Sequence, residues 1–363
     1  MNASLVGYGA IGPVHANAIN QINDTTLYAV CDINNERAKK CANEYNCIIY
    51  NSFDEMLKDS REVNMKTLIT DIQRFSLSDG AGIRTTVFLK GCNMHCTWCH
   101  NPETLSNKPE LMFYETKCIG CGKCFEVCPK GAHKTVEGKH IIDRGLCVSC
   151  GKCAEVCYAE ALVMCGKAMT VDDIMKQILQ DKAYYDNSNG GVTISGGEVL
   201  CNIEFATELA KTCKNKGINV AIETNLSVPL ENAQCLISNL DMVMCDIKIF
   251  DNEKHQKYTR ISNSVVLDNI KKLDKLNIPF IVRTPLIPDV TDNEENIEQI
   301  ADYIKDLKNL VRYELLNFNP LGEGKYKSLN KTNDFEKERP LCDEKLEVLK
   351  KIAEGKCITV KVI

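Results

Sequence analysis

Apolar and polar residues alternate along most of the chain in a repeating pattern. Short runs of β-branched and other apolar residues are followed by stretches in which apolar residues recur every three or four positions, the spacing of one helix face. Strands that alternate with helices in this way predict a parallel sheet with crossover helices. In the C-terminal part, the predicted strands cover residues 84–89, 192–195, 219–223, 242–247, 280–284, 313–317 and 357–363, and the predicted helices cover residues 171–181, 203–216, 230–238, 264–276 and 294–307. We therefore expect an α/β fold, built as a partial (β/α)6 barrel.

Residues 1–63 predict a strand, a helix, a strand and a helix. The first strand runs into Gly7-Tyr-Gly9-Ala-Ile-Gly12, and the second strand ends at Asp32. Glycines at this spacing let a helix N-terminus approach a pyrophosphate, and an acid about twenty residues later can bind a ribose hydroxyl. We therefore expect a half-Rossmann βαβα segment. It resembles the start of the Gfo/Idh/MocA oxidoreductases, truncated before Met65.

The chain contains 21 cysteines, far more than an average intracellular protein. Disulfide scaffolds reach such densities, but they are small and secreted. Eleven of the cysteines lie in three tight groups between Cys92 and Cys157. The short intervals within these groups favour metal ligation under reducing conditions. Most of the other cysteines are expected to be small buried hydrophobic residues.

The first group, Cys92-Asn-Met-His-Cys96-Thr-Trp-Cys99, follows an apolar strand. A tetrahedral metal site has four ligands, so three cysteines on an iron–sulfur cluster leave one iron open for another ligand. This spacing resembles the signature of the radical S-adenosylmethionine (SAM) enzymes, in which SAM binds that iron. The alternative is a zinc site completed by His95 or His100.

Residues 114–165 contain an internal repeat of two four-cysteine runs. Cys118-x2-Cys121-x2-Cys124-x3-Cys128-Pro is followed by Cys147-x2-Cys150-x2-Cys153-x3-Cys157-Tyr. The repeat resembles a bacterial two-cluster ferredoxin, in which the fourth cysteine of each run binds the other cluster. Zinc ribbons are the alternative, although they favour paired CxxC knuckles. The resemblance implies one cluster on Cys118, Cys121, Cys124 and Cys157, and another on Cys147, Cys150, Cys153 and Cys128.

Polar or glycine-rich residues follow the predicted strands of the C-terminal part. Because the carboxyl ends of barrel strands meet at one face, these residues are expected to surround one site. SAM offers an ammonium group, a carboxylate and ribose hydroxyl groups. The carboxylates of Glu198 and Asp246 can accept hydrogen bonds from the first and last of these, and the glycines at 196–197 let the backbone approach. Lys248 and Arg283 can pair with the carboxylate, and the alternative for both is a structural ion pair.

One family carries these motifs in this order. Residues 79–92, the cysteine loop, residues 100–103, the two-cluster insert and Ser195-Gly-Gly-Glu198 resemble the activating enzymes of glycyl radical enzymes. The resemblance covers about residues 65–363. It implies one-electron reduction of a SAM-bound cluster, cleavage of SAM to methionine and a 5′-deoxyadenosyl radical, and removal of hydrogen from a backbone glycine of a partner. The residues that it implies around SAM are Glu198, Lys248 and Arg283. With Gly196, Gly197, Asp246 and Asn319, they form the expected SAM site.

The same resemblance implies the cofactors and partners. We expect SAM, three [4Fe-4S] clusters, a glycyl radical enzyme as protein substrate and a flavodoxin- or ferredoxin-type reductant. Glu223, Thr224 and Asp246 match positions that bind a monovalent cation in pyruvate formate-lyase activators, so a cation is expected near them. Asn319 stands where those activators have a histidine that contacts SAM. This departure and the insert both favour another subgroup, whose partners include choline lyase, glycerol and diol dehydratases, arylacetate decarboxylases and benzylsuccinate synthase.

Charge and hydropathy exclude some partners. The net charge is −5 with both signs interspersed, which argues against nucleic acid or an anionic membrane as the main partner. No apolar run has transmembrane length, and the N-terminus lacks the features of a signal peptide. We therefore expect a cytoplasmic protein, and the resemblance implies that it works under anaerobic conditions.

Two other functions fit parts of the chain. Residues 1–63 suggest an NAD(P)-dependent oxidoreductase of the Gfo/Idh type, but no substrate domain of that family follows. The insert suggests an electron-carrier iron–sulfur protein, but such a protein leaves the three-cysteine loop unexplained. The expected organisation is a truncated Rossmann-like segment at 1–63 and an activating-enzyme domain at 65–363, interrupted by the ferredoxin-like insert at 114–165.

Overall fold

The computed structural model describes residues 2–22, 25–56, 65–356 and 358–363. The chain divides into two compact units, Met1–Met65 and Lys66–Ile363. Within the described ranges, no helix combines the length and the apolar character that a membrane crossing requires.

The first unit contains three parallel strands, β1 (Asn2–Val6), β2 (Thr26–Cys31) and β3 (Ile48–Tyr50), in the order β1-β2-β3. Two helices, Gly12–Gln21 and Asn35–Tyr45, connect them. The second helix begins after Asn34 because the Asn34 side chain accepts hydrogen bonds from two free backbone N–H groups of the first turn. The predicted order of strand, helix, strand and helix is confirmed, and β3 is an addition.

The second unit is built on a sheet of nine strands. Seven of them are parallel, as the alternating pattern predicts, and two antiparallel strands extend one edge. The strands are β4 (Lys66–Ser76), β5 (Arg84–Leu89), β10 (Lys167–Thr170), β11 (Gly191–Gly196), β12 (Asn219–Thr224), β13 (Met242–Asp246), β14 (Phe280–Leu286), β15 (Leu310–Asn317) and β16 (Val360–Val362). Their order is β10-β4-β5-β11-β12-β13-β14-β15-β16, so the described strands form an open sheet, and the predicted α/β class is confirmed.

Helices connect the parallel strands, and apolar residues on one face of each pack against the sheet. The segment predicted as one helix at 171–181 ends as a 3-10 turn, Leu179–Asp181, and the one at 230–238 begins as a 3-10 turn, Leu230–Ala233. The α-helices of this unit outside the insert are Val171–Ile178, Lys182–Ser188, Ile203–Asn215, Gln234–Ile237, Asn252–Thr259, Ser264–Asp274, Glu294–Ile304, Glu323–Leu329 and Asp343–Glu354.

The insert lies within the second unit and is held by two small antiparallel sheets. Strand β6 (Glu110–Phe113) pairs with β9 (Leu162–Cys165), and β7 (His133–Val136) pairs with β8 (Lys139–Ile142). Each four-cysteine run contains a short helix, Lys123–Val127 or Lys152–Glu155, preceded by a glycine with positive φ. The sequence repeat is therefore also a repeat of local backbone structure.

Strands β5 and β11 approach so closely at their start that a side chain does not fit there. A Cβ at Gly190 would lie 1.9 Å from the carbonyl oxygen of Ile83. A Cβ at Gly324, in the helix Glu323–Leu329, would meet no atom within 4 Å. Gly190 is therefore required by strand packing, whereas Gly324 is free of contacts.

We predict that Gly190→Ala lowers the free energy of unfolding by about 2–3 kcal/mol, because the backbones of both strands must move apart. Gly324→Ala is the matched control and should raise stability by about 0.5–1 kcal/mol through helix propensity. Urea unfolding followed by the fluorescence of Trp98, the single tryptophan, measures both. Equal midpoints for the two variants would contradict this packing argument.

Candidate functional site

A cavity of about 550 Å³ opens at the carboxyl ends of the parallel strands. The cavity is lined by residues at or just after the carboxyl ends of β5, β11, β12, β13, β14 and β15, as expected for a parallel sheet. Of the residues that the sequence assigns to the site, Glu198 lies outside the lining. Those that line the cavity are Cys92, Cys96, Cys99, Gly196, Gly197, Asp246, Lys248, Arg283 and Asn319.

The cysteine loop is held to its surroundings by backbone hydrogen bonds. The N–H of Gly91, a glycine with φ of 111°, donates to the carbonyl of Thr104 at 2.7 Å. The N–H groups of His95 and Thr97 donate to carbonyls of residues 259 and 258, each at 3.0 Å. These bonds fix the path of the loop, and its three thiols face the cavity.

The three thiols suit a cluster better than a single ion. Burial raises the pKa of Cys92 and raises that of Cys99 to about 12, so these thiols lose their protons only to a strongly bound cation. Across the described ranges, one group of metal-ligating side chains is close enough for a single ion, and it lies in the insert. The zinc alternative, with His95 or His100 as fourth ligand, therefore lacks the compact ligand set that it requires. A cluster spreads its thiolate ligands over several irons and fits the wider spacing.

Lys248 supplies positive charge to the cavity. Its Nζ lies 2.6 Å from Oδ2 of Asp246. Burial by itself lowers the pKa of Lys248, but Asp246 and the Cys96 thiol outweigh this effect and raise it overall. Lys248 is therefore a cation at neutral pH, and it can pair with a carboxylate of a bound ligand.

Arg283 is bound by two carboxylates of the chain. Its Nη1 donates to Glu223, and its Nε donates to Oε2 of Glu314 at 2.8 Å. Ser195 holds the other oxygen of Glu223 through a hydroxyl hydrogen bond of 2.5 Å. Arg283 therefore forms the structural ion pairs that were the alternative for it, and it also lines the cavity. It can orient Glu223 and face a ligand at the same time.

Glu198 is completely buried, and its carboxylate points to donors of the chain itself. Oε1 accepts from the N–H of Leu200 at 2.8 Å and from the hydroxyl of Thr224 at 2.6 Å. Oε2 accepts from the N–H of Asn225 at 2.7 Å. The N–H of Glu198 donates to the carbonyl of Gly91 at 2.9 Å. This geometry gives Glu198 a positioning role behind the cavity wall, and the ligand contact expected from the sequence stays a prediction.

The two glycines before Glu198 also serve packing. Gly196 has φ of 115°, and a Cβ there would lie 2.1 Å from the carbonyl oxygen of Leu89. A Cβ at Gly197 would lie 2.3 Å from the carbonyl oxygen of Gly91. Close approach to a ligand is the role expected from the sequence, and close approach to β5 and the cysteine loop is a second, independent reason for glycine.

Two residues of the cavity wall lie in segments that the sequence singles out, but the sequence assigns neither of them a role. Asn225 follows Thr224 at the end of β12, and Asp79 accepts a hydrogen bond of 2.6 Å from the hydroxyl of Thr86. Only their positions in the sequence pointed to the site, because both lie next to strands whose ends are followed by functional residues. Asn319, which was expected, accepts the N–H of Leu321 at 3.0 Å and so begins the turn that follows.

The cysteines of the insert fall into groups. Cys128 lies with the second run around one small cavity, where several backbone N–H groups, including that of Ala132 at 3.3 Å, point at its sulfur. Burial raises the pKa of Cys128, but these N–H groups outweigh it and lower the pKa overall. In the first run, Cys118 and Cys124 lie near His140. Cys157 packs in the core of the insert and does not line the small cavity, whose cysteines are Cys128, Cys147, Cys150 and Cys153.

In the first unit, Asp32 is directed to the backbone. Its Oδ2 accepts the N–H of Tyr8 at 2.5 Å, and its Oδ1 accepts the N–H of Asn34 at 2.7 Å. These two bonds lower the pKa of Asp32. The carboxylate expected to bind a ribose therefore already stabilises the glycine-rich loop.

Three family models match parts of the chain. The radical SAM superfamily matches residues 153–304, and a 4Fe-4S binding domain matches residues 111–132 and 140–163. The NAD-binding Rossmann fold of an oxidoreductase family matches residues 1–71.

Curated relatives match most of the chain. The (2S)-3-sulfopropanediol dehydratase activating enzyme of Klebsiella oxytoca is 42% identical over 269 residues, which is 72% of this chain and 85% of that protein. The benzylsuccinate synthase activating enzyme of Thauera aromatica is 42% identical over 277 residues, 74% of this chain and 83% of that protein. The trans-4-hydroxy-L-proline dehydratase activating enzyme of Clostridioides difficile is 38% identical over 301 residues, 82% of this chain and 99% of that protein.

We predict that Glu198→Gln destabilises the cysteine loop. The amide nitrogen of glutamine can only donate, so at least one of the three donors now bound by the carboxylate loses its acceptor. This loss should lower the free energy of unfolding by about 1–3 kcal/mol. Unfolding followed by Trp98 fluorescence should show this loss, and less iron should remain after desalting. Glu204→Gln, at an exposed helix position, is the matched control. If the two variants retain equal iron and equal stability, Glu198 does not hold the loop.

Proposed function

The chain belongs to the activating enzymes of glycyl radical enzymes in the radical SAM superfamily, and we propose that Cys92, Cys96 and Cys99 hold its SAM-binding cluster. The observation that carries this proposal is that the three cysteines line the same cavity as Lys248 and Asp246. When bound, the cluster supplies one electron to SAM, and SAM supplies the 5′-deoxyadenosyl radical that takes hydrogen from a glycine of the partner enzyme. The residues of this chain bind and orient SAM for that step.

The proposed contacts to SAM follow from charge. Lys248 pairs with the carboxylate, because it is a half-buried cation on the cavity wall, close to Cys96. Asp246 accepts from the ammonium or a ribose hydroxyl, and Gly196 and Gly197 offer backbone groups without side-chain interference. Arg283 and Asn319 complete the wall on the far strands.

The predicted monovalent cation stays a prediction. The three side chains expected around it are each engaged in the structure. Glu223 is bound by Arg283 and Ser195, Asp246 is bound by Lys248, and the hydroxyl of Thr224 donates to Glu198. A cation there would have to share these groups with their present partners.

We propose that the insert conducts electrons to the SAM-binding cluster through two clusters of its own. One is held by Cys118, Cys121, Cys124 and Cys157, and the other by Cys147, Cys150, Cys153 and Cys128. Three [4Fe-4S] clusters are then present in the chain. A flavodoxin- or ferredoxin-type protein is the proposed reductant, since such proteins donate single electrons at low potential. The 4Fe-4S family match over both cysteine runs supports the iron–sulfur character of the insert.

We propose that residues 65–363 carry the whole activity, with the insert at 114–165, and that residues 1–63 are dispensable. Half of a dinucleotide-binding fold precedes Met65 in this sequence, and a nicotinamide requires the second half. Asp32 already binds two backbone N–H groups, which supports weak NAD binding or none. The oxidoreductase alternative would require the opposite.

We predict that replacing Cys92, Cys96 and Cys99 together by alanine abolishes reductive cleavage of SAM. Iron should fall from roughly twelve to roughly eight atoms per chain, because the clusters of the insert remain. Replacing three exposed cysteines elsewhere, Cys201, Cys235 and Cys342, is the matched control and should leave both quantities unchanged. Continued production of 5′-deoxyadenosine by the first variant would refute the assignment.

We predict that Cys121→Ala with Cys150→Ala slows turnover with a protein reductant and leaves SAM affinity unchanged. Both cysteines are exposed, so the substitutions leave no cavity in the core. Calorimetry measures SAM binding, and 5′-deoxyadenosine formation measures turnover. If SAM affinity collapses while electron delivery stays normal, the insert is structural.

We predict that a shortened chain beginning at Met65 forms the glycyl radical on its partner as fast as the full chain. Electron paramagnetic resonance (EPR) of the partner measures this rate. Calorimetry should detect no micromolar NAD binding to the full chain. Loss of activation in the shortened chain, or tight NAD binding in the full one, would give residues 1–63 a function.

A further inference from the structure

Asn225 places an amide group beside a cysteine of the SAM-binding site. Its Nδ2 lies 3.8 Å from Sγ of Cys92, and its side chain forms part of the cavity wall. Asn225 is 6% exposed, so the contact is shielded from bulk water. An N–H group at this distance from sulfur can donate a hydrogen bond to it.

The orientation of this amide is determined by its other partners. Oδ1 of Asn225 accepts the backbone N–H of Ser227 at 2.9 Å and the Ser227 hydroxyl at 2.5 Å. A backbone N–H can only donate, so the oxygen must face Ser227 and the nitrogen must face Cys92. The N–H of Asn225 is itself held by Glu198 at 2.7 Å, so the whole residue is preorganised.

We propose that Asn225 raises the reduction potential of the cluster on Cys92, Cys96 and Cys99 by donating an N–H···S hydrogen bond to Cys92. The inference rests on the proposed function of those cysteines. Reduction adds one negative charge to a cluster, and part of that charge resides on its sulfur atoms. A donor aimed at sulfur stabilises the reduced form more than the oxidised form, and hydrogen bonds to the sulfurs are one determinant of cluster potential. Asn225 is thus a positioning and tuning residue for electron transfer to SAM.

The test uses two variants of the full chain. Asn225→Leu removes the donor, and Asn225→Asp keeps the shape and the acceptor for Ser227 while replacing the donor by an oxygen. An EPR-monitored redox titration identifies the relevant cluster as the one whose signal changes when SAM is added. We expect the ratio of reduced to oxidised cluster at a fixed potential to be roughly tenfold lower in both variants. This change corresponds to a midpoint potential about 59 mV lower for a one-electron couple. The insert signals should not shift.

Ser227→Ala is the matched control, because it keeps the backbone N–H that orients the amide, and its midpoint should equal that of the unmodified protein. Unchanged midpoints in both Asn225 variants would overturn the proposal. A loss of SAM affinity by calorimetry without a change of potential would also overturn it, since Asn225 would then be a ligand contact. If the unmodified protein has no SAM-responsive signal, the proposed function fails instead.

A second, independent observation concerns the insert. Nδ1 of His140 lies 3.7 Å from Sγ of Cys118, and its Nε2 lies 3.9 Å from Sγ of Cys124. The same Nε2 lies 2.9 Å from Nδ1 of His133. The ring of Phe113 packs against His140 with a centroid distance of 4.5 Å. His140 is therefore held in place by its neighbours, with one ring nitrogen directed at a cysteine of the first run.

We infer that His140 donates the N–H of Nδ1 to Cys118, with His133 donating to its other nitrogen, and so raises the reduction potential of the cluster on the first run. A cysteine bound to a cluster is a thiolate with no proton to donate, so the hydrogen of the His140–Cys118 pair belongs to Nδ1. A competing interpretation is a single metal ion on Cys124, His133 and His140, whose ligand atoms lie within 4.8 Å of one another.

His140→Phe keeps an aromatic ring and removes the donor, and His15→Phe, at an exposed position of the first unit, is the control. In a redox titration, one insert signal of the His140 variant should show roughly tenfold less reduction at a fixed potential, about 59 mV. The other signals should be unchanged. Unshifted insert signals would overturn the inference. So would stoichiometric zinc in the unmodified protein that disappears in the variant.

Discussion

The buried carboxylate of Glu198 joins the strand ends that carry the chemistry of this protein. Its two oxygens bind donors at the end of β12 and at residue 200, and its own N–H binds Gly91 just before the first cysteine. A buried charge is costly unless it is fully hydrogen-bonded, and here every oxygen has a partner. Because the hydrogen-bond partners of Glu198 lie at Gly91, at residue 200 and at the end of β12, satisfying this one residue brings the cysteine loop, β11 and β12 into a single geometry.

The charged side chains around the cavity are also paired with one another. Lys248 and Asp246 form one pair, and Arg283 binds Glu223 and Glu314. The carboxylates are thereby fixed in direction before any ligand arrives, which limits the reorganisation that binding requires. A ligand with an ammonium group, a carboxylate and a ribose would find both the carboxylate of Asp246 and the ammonium of Lys248 in the lining of the cavity. This arrangement is consistent with the family to which the chain belongs.

Much of this architecture follows from the sequence pattern, because seven parallel strands leave near-continuous apolar runs and metal ligands leave fixed cysteine spacings. The antiparallel strands β4 and β10 escaped notice, since β4 buries few of its side chains and reads as polar. The role of Glu198 also escaped, because the direction of a side chain depends on donors distant in sequence. The same holds for Asn225 and His140, whose partners come from other segments. Residues 57–64 and Cys357 lie outside the described ranges, so the start of the predicted strand at 357–363 is untested there; β16 covers Val360–Val362.

If Cys92, Cys96 and Cys99 hold the cluster as proposed, they leave one iron open for SAM. Electron–nuclear double resonance on the reduced protein tests it, with SAM carrying nitrogen-15 in the amino group and oxygen-17 in the carboxylate. We expect direct coupling of both labels to the cluster electrons, and loss of that coupling when the three cysteines are replaced. A SAM-saturated, reduced protein whose cluster shows no coupling to either label would contradict it.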